Sequence, residues 1–149
     1  MPFQYSTQGP SGGLEGAAVG ESHIPADAKI TAFQVWADDV VHQVALYWGD
    51  TDPGSDECVL LGTLAGTSHP VVRLDEDTKI ASFTGRCGEA INSLMVIAES
   101  GDILGSYGGP GGTATFTFEV PPESELAGLV GRVGLGITAF GVVYRTETY

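Results

Sequence analysis

Gly131-Arg132-Val133-Gly134-Leu135-Gly136-Ile137-Thr138-Ala139-Phe140-Gly141-Val142-Val143-Tyr144 reads as a strand that stops at paired glycines, turns tightly and resumes as a second strand. Gly134 and Gly136 stand where such a turn needs positive φ or a close backbone approach. A turn of this kind leaves amide N–H groups uncovered by side chains, and there a small polar ligand can be held. A glycine-rich hairpin turn taken alone usually holds nothing. This one gains weight because two other parts of the chain echo it.

Upstream, strand patterns follow one another at Ile30–Trp36, Val41–Trp48, Cys58–Leu61, Val71–Leu74, Ile80–Thr84, Ile91–Ala98, Thr113–Val120, Leu126–Val133 and Ile137–Arg145. Val44, Leu46 and Trp48 alternate with their neighbours, as do Phe116, Phe118 and Val120 with threonines between them, which is the period of a half-buried strand. Residues 1–27 read as irregular apart from a first strand near Phe3–Ser6, and Gln8-Gly9-Pro10-Ser11-Gly12-Gly13 is a turn signal. No stretch keeps a 3.6-residue period over a dozen positions. Pro121–Glu125 could begin a single helical turn and no more. The expectation is an all-β chain, 1–149, forming one domain.

Three segments leading into apolar strands align. They are Asp38–Leu46, Gly88–Val96 and Gly134–Val142. In each an aliphatic residue (Val41, Ile91, Ile137) precedes a polar one (His42, Asn92, Thr138), and an alternating apolar strand follows. The polar positions are 50 and 46 residues apart. Each is preceded, about 26 to 30 residues upstream, by a turn-rich loop: Gly9–Gly13, Gly62–Pro70 and Gly108–Gly112. Threefold repetition in an all-β chain of this size points to a β-trefoil or a β-prism.

Composition narrows the function classes. Apolar residues make up 42% and charged residues 17%, the balance of a globular chain. The 19 acidic and 6 basic residues leave a net charge of −13, which repels phosphate backbones and acidic membranes, so neither nucleic acid nor membrane insertion is expected. Met1–Gly20 has no basic start and no apolar core of a signal peptide, and no run approaches the ~18 residues of a membrane span. Cytoplasmic residence, or export without a cleaved signal, is the expectation. Cys58 and Cys87 are too few for a metal site, and two buried free thiols fit better than one disulfide. Asp50–Glu57 carries carboxylates at alternate positions but lacks the spacing of a calcium loop. It reads as a solvated hairpin loop, and Leu74–Lys79 likewise as a charged turn. There is no nucleophile elbow, no His-Glu-x-x-His and no phosphate loop, and His23, His42 and His69 are scattered, so no enzyme, cofactor or metal is expected.

These residues together resemble the jacalin-related lectins. The resemblance covers essentially the whole chain. It rests on the early Gly-rich loop, on the paired strands Ile30–Trp48, on Ile91–Ser106 followed by Tyr107-Gly108-Gly109-Pro110-Gly111-Gly112, and most on Gly131-Arg132-Val133-Gly134 running into Ala139-Phe140-Gly141-Val142. It implies a β-prism of three four-stranded Greek-key sheets with pseudo-threefold symmetry. It also implies binding of a monosaccharide or glycan terminus, with mannose or glucose types slightly favoured, without metal or catalysis. The sugar would lie between the first Gly-rich loop and the C-terminal turn, gripped by backbone N–H groups and one Asp carboxylate four residues after the turn glycine. Gly13, Gly134, Leu135 and Gly136 match those motif positions. The Asp position is Thr138, and its counterparts are His42 and Asn92, so none of the three carries a carboxylate. Exchanging a charged acceptor for a neutral hydroxyl loses about 1–2 kcal/mol, or ~5–30-fold in affinity. Asn92 facing Gly111 and Gly112 is a candidate second site, because its amide both donates and accepts.

Two function classes follow. One is a lectin for mono- or oligosaccharides and glycoconjugates, made multivalent by repeated sites or as a homodimer or larger homo-oligomer. The other is a prism that has lost sugar binding and serves as a protein-interaction or oligomerisation module. Trp36, Trp48, Tyr107 and Tyr144 could stack on sugar C–H faces, although packing is the commoner use of such residues.

Overall fold

The alternating patterns need inward faces to bury, and three sheets supply them to one another. The computed structural model describes residues 3–13, 16–25, 28–48, 58–63, 66–75, 78–121, 123–134 and 136–147, with all their side chains except those of 19–23 and 147. Among these residues are twelve strands and no helix. They are β1 (Phe3–Gly12), β2 (Ala17–His23), β3 (Ile30–Ala37), β4 (Val41–Trp48), β5 (Cys58–Gly62), β6 (Val72–Arg73), β7 (Ile80–Cys87), β8 (Ile91–Ala98), β9 (Ile103–Gly108), β10 (Ala114–Glu119), β11 (Ser124–Val133) and β12 (Ile137–Glu147). They form three four-stranded antiparallel sheets, ordered β1-β12-β11-β2, β5-β4-β3-β6 and β10-β7-β8-β9. The second and third are each contiguous in the chain. The first joins the N-terminal pair to the C-terminal pair. This is the β-prism expected from the sequence.

The repetition extends to the irregularities. Each central hairpin carries a bulge at the same place, between Trp36/Ala37, Arg86/Cys87 and Arg132/Val133. A second set of bulges sits between Ile30/Ala32, Ile80/Ser82 and Leu126/Gly128. Both sets repeat at the 50- and 46-residue offsets of the polar positions. Bulges add twist and bend a strand, so each sheet carries the same two local distortions.

Strands β2 and β9 were not expected, and β1 runs further than Phe3–Ser6. Both missed strands are sheet edges, and both contain glycine among small or polar residues, so the alternation that marks a half-buried strand is weak in them. The Gln8–Gly13 turn signal is absorbed within β1 as an irregularity between Gln8 and Ser11, at the cis Gly9-Pro10 bond. The described residues of Pro121–Glu125 are not helical; the Ser124 N–H bonds to the Pro121 carbonyl at 2.9 Å and β11 begins there. Asp50–Glu57 lies outside the described residues. Cys58 and Cys87 are free thiols on different sheets.

The inner faces meet in one core drawn from all three sheets, including Phe33, Leu46, Phe83, Leu94, Leu129 and Phe140. Phe140 of β12 is fully buried. Its ring lies 5.5 Å from Phe83, 6.0 Å from Phe116 and 6.3 Å from Phe118, so one residue of the first sheet meets three aromatics of the third. At the far end from the hairpin turns, Arg145 is buried without an unpaired charge. Its guanidinium bonds Glu125 at 2.6 Å and the Pro25 carbonyl at 3.0 Å, also reaches the Ala28 carbonyl, and stacks on Phe3. Breaking such a group's partners costs more than the pair contributes. Phe140→Ala should lower the unfolding free energy by about 3–5 kcal/mol in a urea titration. Phe140→Leu, which keeps most of the volume, should cost well under half of that.

Candidate functional site

Among the described residues, the three central hairpin turns gather at one end of the prism with residues that follow the outer strands β1, β5 and β9. The turns have one backbone design. The Asp38 N–H bonds to the Val40 carbonyl at 3.0 Å, Gly88 to Ala90 at 3.0 Å and Gly134 to Gly136 at 2.9 Å. The bulge after each turn makes His42, Asn92 and Thr138 the extra residues, since Trp36/Ala37 pair with Gln43/Val41, Arg86/Cys87 with Ser93/Ile91, and Arg132/Val133 with Ala139/Ile137. A bulged residue is re-aimed out of the ladder. The repeating polar residue therefore belongs to a backbone irregularity and not to a regular strand.

Each bulged residue receives a glycine loop on its carbonyl. The N–H of Gly13 bonds to Thr138 O at 2.8 Å, that of Thr63 to His42 O at 3.0 Å and that of Gly109 to Asn92 O at 2.9 Å. The glycine just before each donor, Gly12, Gly62 or Gly108, has φ of +138°, +118° or +92°, and a Cβ there would overlap the same carbonyl. Only glycine allows this approach.

The three ends then diverge in their side chains. In the first sheet Arg132 donates to the Gly16 carbonyl at 2.8 Å. In the third, Arg86 holds the loop at two points, Gly111 O at 3.2 Å and Gly112 O at 2.9 Å. The Asn92 carboxamide lies against that loop, where a Cβ on Gly111 or Gly112 would crowd it. In the second sheet the equivalent of these arginines is Trp36, and Asp38 holds the loop instead, accepting from the Thr67 hydroxyl at 2.6 Å and its N–H at 3.2 Å. His42 Nε2 lies 3.8 Å from Asp38. The Gly66 backbone packs on this pair so closely that a Cβ would strike both side chains. That end is closed by its own residues.

The first sheet's end is the open one. A hollow of about 520 Å³ lies between Gly134, Gly136 and Thr138 on one side and Val40, Glu89 and Ala90 from the other two hairpin turns on the other. That volume is in the range of small-ligand pockets. A second, shallower hollow between the first and third sheets is lined by Ser11, Glu89, Asn92 and Gly112. Gly13, Gly134, Gly136 and Thr138 are thus brought together, as are Asn92, Gly111 and Gly112; Leu135 lies outside the described residues. The amides of Gly13 and Gly134, expected to face a ligand, are used within the fold, by Thr138 O and Gly136 O. Thr138 itself is buried. Tyr107 is buried with its ring against His69, while Trp36 and Trp48 pack on apolar clusters, so these three serve packing. Arg86 and Arg132 were missed as loop-holding residues; the shared Gly-Arg dipeptide at a 46-residue offset was the available signal. Among the described residues no three His, Cys, Asp or Glu side chains gather as metal ligands.

A threefold prism with glycine loops set on bulged polar residues defines a lectin-type fold. A family model described as "Jacalin-like lectin domain" matches residues 8–143, and the chain belongs to that family, whose function class is carbohydrate binding. Solved structures share the fold at low identity. Malaysian banana lectin superposes with a TM-score of 0.77 and 21% identity, covering 97% of this chain and 100% of its own. Artocarpin in complex with mannotriose gives 0.75 and 19%, covering 95% and 97%. Calystegia sepium agglutinin gives 0.74 and 19%, covering 99% of each. A Schizosaccharomyces pombe protein described as a putative zinc metalloproteinase is 29% identical over 86 residues, which are 58% of this chain and 14% of that one.

The second sheet's loop clasp is open to test by pH. The Thr67 hydroxyl bond holds the Asp38 carboxyl below its ordinary 3.8, against partial desolvation, with the Thr67 N–H, His42 and His69 adding to the effect. A lowered folded value means the contact's stabilisation is complete above the unfolded value and lost as pH falls through the folded one. Asp38→Asn should therefore melt below the unmodified protein at pH 7 and pH 5. The gap should narrow at pH 3, as thermal melts at the three pH values would show.

Proposed function

We propose that this chain is a metal-independent lectin that binds a monosaccharide or glycan terminus at the open end of the first sheet. The observation that carries the reading is the hollow beside the bulged Thr138, lined by Gly134, Gly136 and Gly16, with Gly13 bonded to the Thr138 carbonyl. Among the described residues its lining combines Gly16, Gly134 and Gly136, where backbone can be approached closely, with the apolar Val40, Val41, Ala90 and Ile137 and the polar Thr138 and Glu89. A mannose or glucose type is favoured because the related structures include a mannotriose complex and a mannose-binding lectin from champedak. The end of the third sheet, with Asn92, Gly111 and Gly112, is the second site. No catalytic role is assigned to any residue, and the chain acts as one such binding domain.

A second reading has its own observation. On the second sheet Ala32, Ala45 and Tyr47 form a separate apolar cluster that is itself buried, and the surface beside it is formed by half-buried Trp36, Cys58 and Val71 and by exposed Leu60 of β5. A prism without a working sugar site would use such a face for a protein partner or for self-association.

Calorimetric or NMR titration with methyl mannoside, glucose and galactose at millimolar concentrations separates the two. The expected result is weak binding of one of them, unchanged by EDTA, and a gain of roughly 5–30-fold in Thr138→Asp as a charged acceptor is restored. Silence toward the whole panel, in both proteins, would leave the interaction module.

A further inference from the structure

We infer that Glu89, on the turn of the third sheet, supplies the charged hydroxyl acceptor for the first sheet's hollow; the inference rests on the lectin reading above. Of the nine described residues lining that hollow, six are glycine, alanine or valine, one more is Ile137, and the other two are Thr138 and Glu89. Glu89 is thus the single charged group among the described lining residues. Thr138 is buried and its carbonyl is taken by Gly13. Glu89 is exposed, and its carboxylate has no hydrogen-bond or ion-pair partner among the described residues. Its backbone is nonetheless fixed. The turn that carries it is closed by the Gly88–Ala90 hydrogen bond, and its carbonyl packs against Gly13 so tightly that a Cβ there would sit 2.6 Å away. Glu89 is therefore mounted on a hydrogen-bonded turn between the two hollows, and it is a lining residue of both.

The chemistry matches the vacancy in the polar set. Two adjacent sugar hydroxyls need an acceptor that can take two O–H bonds, and a carboxylate does this with roughly twice the strength of a neutral oxygen. Thr138 supplies one neutral hydroxyl. Glu89 reaches the hollow from the neighbouring sheet, so recognition would need two sheets to keep their relative position. The ligand class is a pyranoside with free vicinal hydroxyls; blocking one of the pair should remove the Glu89 contribution.

The test is a titration of methyl mannoside, methyl glucoside and methyl galactoside against the unmodified chain, Glu89→Gln, Glu99→Gln as a remote charge control, and Glu89→Gln/Thr138→Asp. The expected result is a loss of about tenfold in Glu89→Gln for the sugar that binds, no change in Glu99→Gln, and recovery in the double variant, with far-UV dichroism and melting unchanged. Binding by the unmodified chain that Glu89→Gln leaves intact overturns the role of Glu89 and keeps the lectin reading. An equal loss in Glu99→Gln reduces the effect to overall charge and overturns it as well. No binding by the unmodified chain or by the double variant removes both.

Discussion

The structure depends on a backbone contact made three times. An outer loop comes so close to the bulged residue of its own central hairpin that the loop position can hold no Cβ, and the next amide then bonds to that residue's carbonyl. Without this contact each outer loop would lose its backbone anchor on the bulge of its own central hairpin. The free energy comes from ordinary hydrogen bonds, each contributing on the order of 1 kcal/mol. The geometry comes from glycine, because every other residue would be displaced by the carbonyl it approaches.

The three ends also lock to one another. The Gly109 N–H of the third sheet's loop bonds to Asp39 O on the second sheet's turn at 3.1 Å, as well as to Asn92 O of its own sheet. Glu89 O on the third sheet's turn presses on Gly13 of the first sheet's loop, and Gly136 of the first sheet's turn lies against His42 of the second. Each turn thus backs onto the next sheet. A site at one end is in consequence shared between sheets, and its walls include residues far away in the chain. Side chains decide which end remains open. In the second sheet the Asp38–Thr67–His42 contacts fill the space under Gly66, whereas in the first a guanidinium holds Gly16 from outside and leaves the hollow clear.

How much of this could be read from residues varies with burial. The central strands were legible because Val44, Leu46, Phe116 and Phe118 alternate with polar neighbours. The edge strands β2 and β9 were not, since an edge position buries less and tolerates Gly20, Gly105 and Ser106. The polar triad His42, Asn92 and Thr138 was found from its spacing, but its status as the bulged residue was invisible, because a bulge is a mismatch between two strands and neither strand records it alone. The same holds for the amides of Gly13 and Gly134. Their glycines announce an exposed turn, and only the partner strand shows that their N–H groups are already bonded.

By itself the sequence determined the all-β class, the threefold period and the identity of the residues at each repeat, since those follow from local patterning and spacing. Along the chain each loop glycine precedes a polar position by the same 30 residues: Gly12 and His42, Gly62 and Asn92, Gly108 and Thr138. In space the partners are exchanged: Gly12 meets Thr138, Gly62 meets His42 and Gly108 meets Asn92. The tertiary structure decided that pairing, because the outer strands of the first sheet come from the N-terminus and its inner strands from the C-terminus. Closing the prism brings the two together, and no local preference of either segment encodes the other.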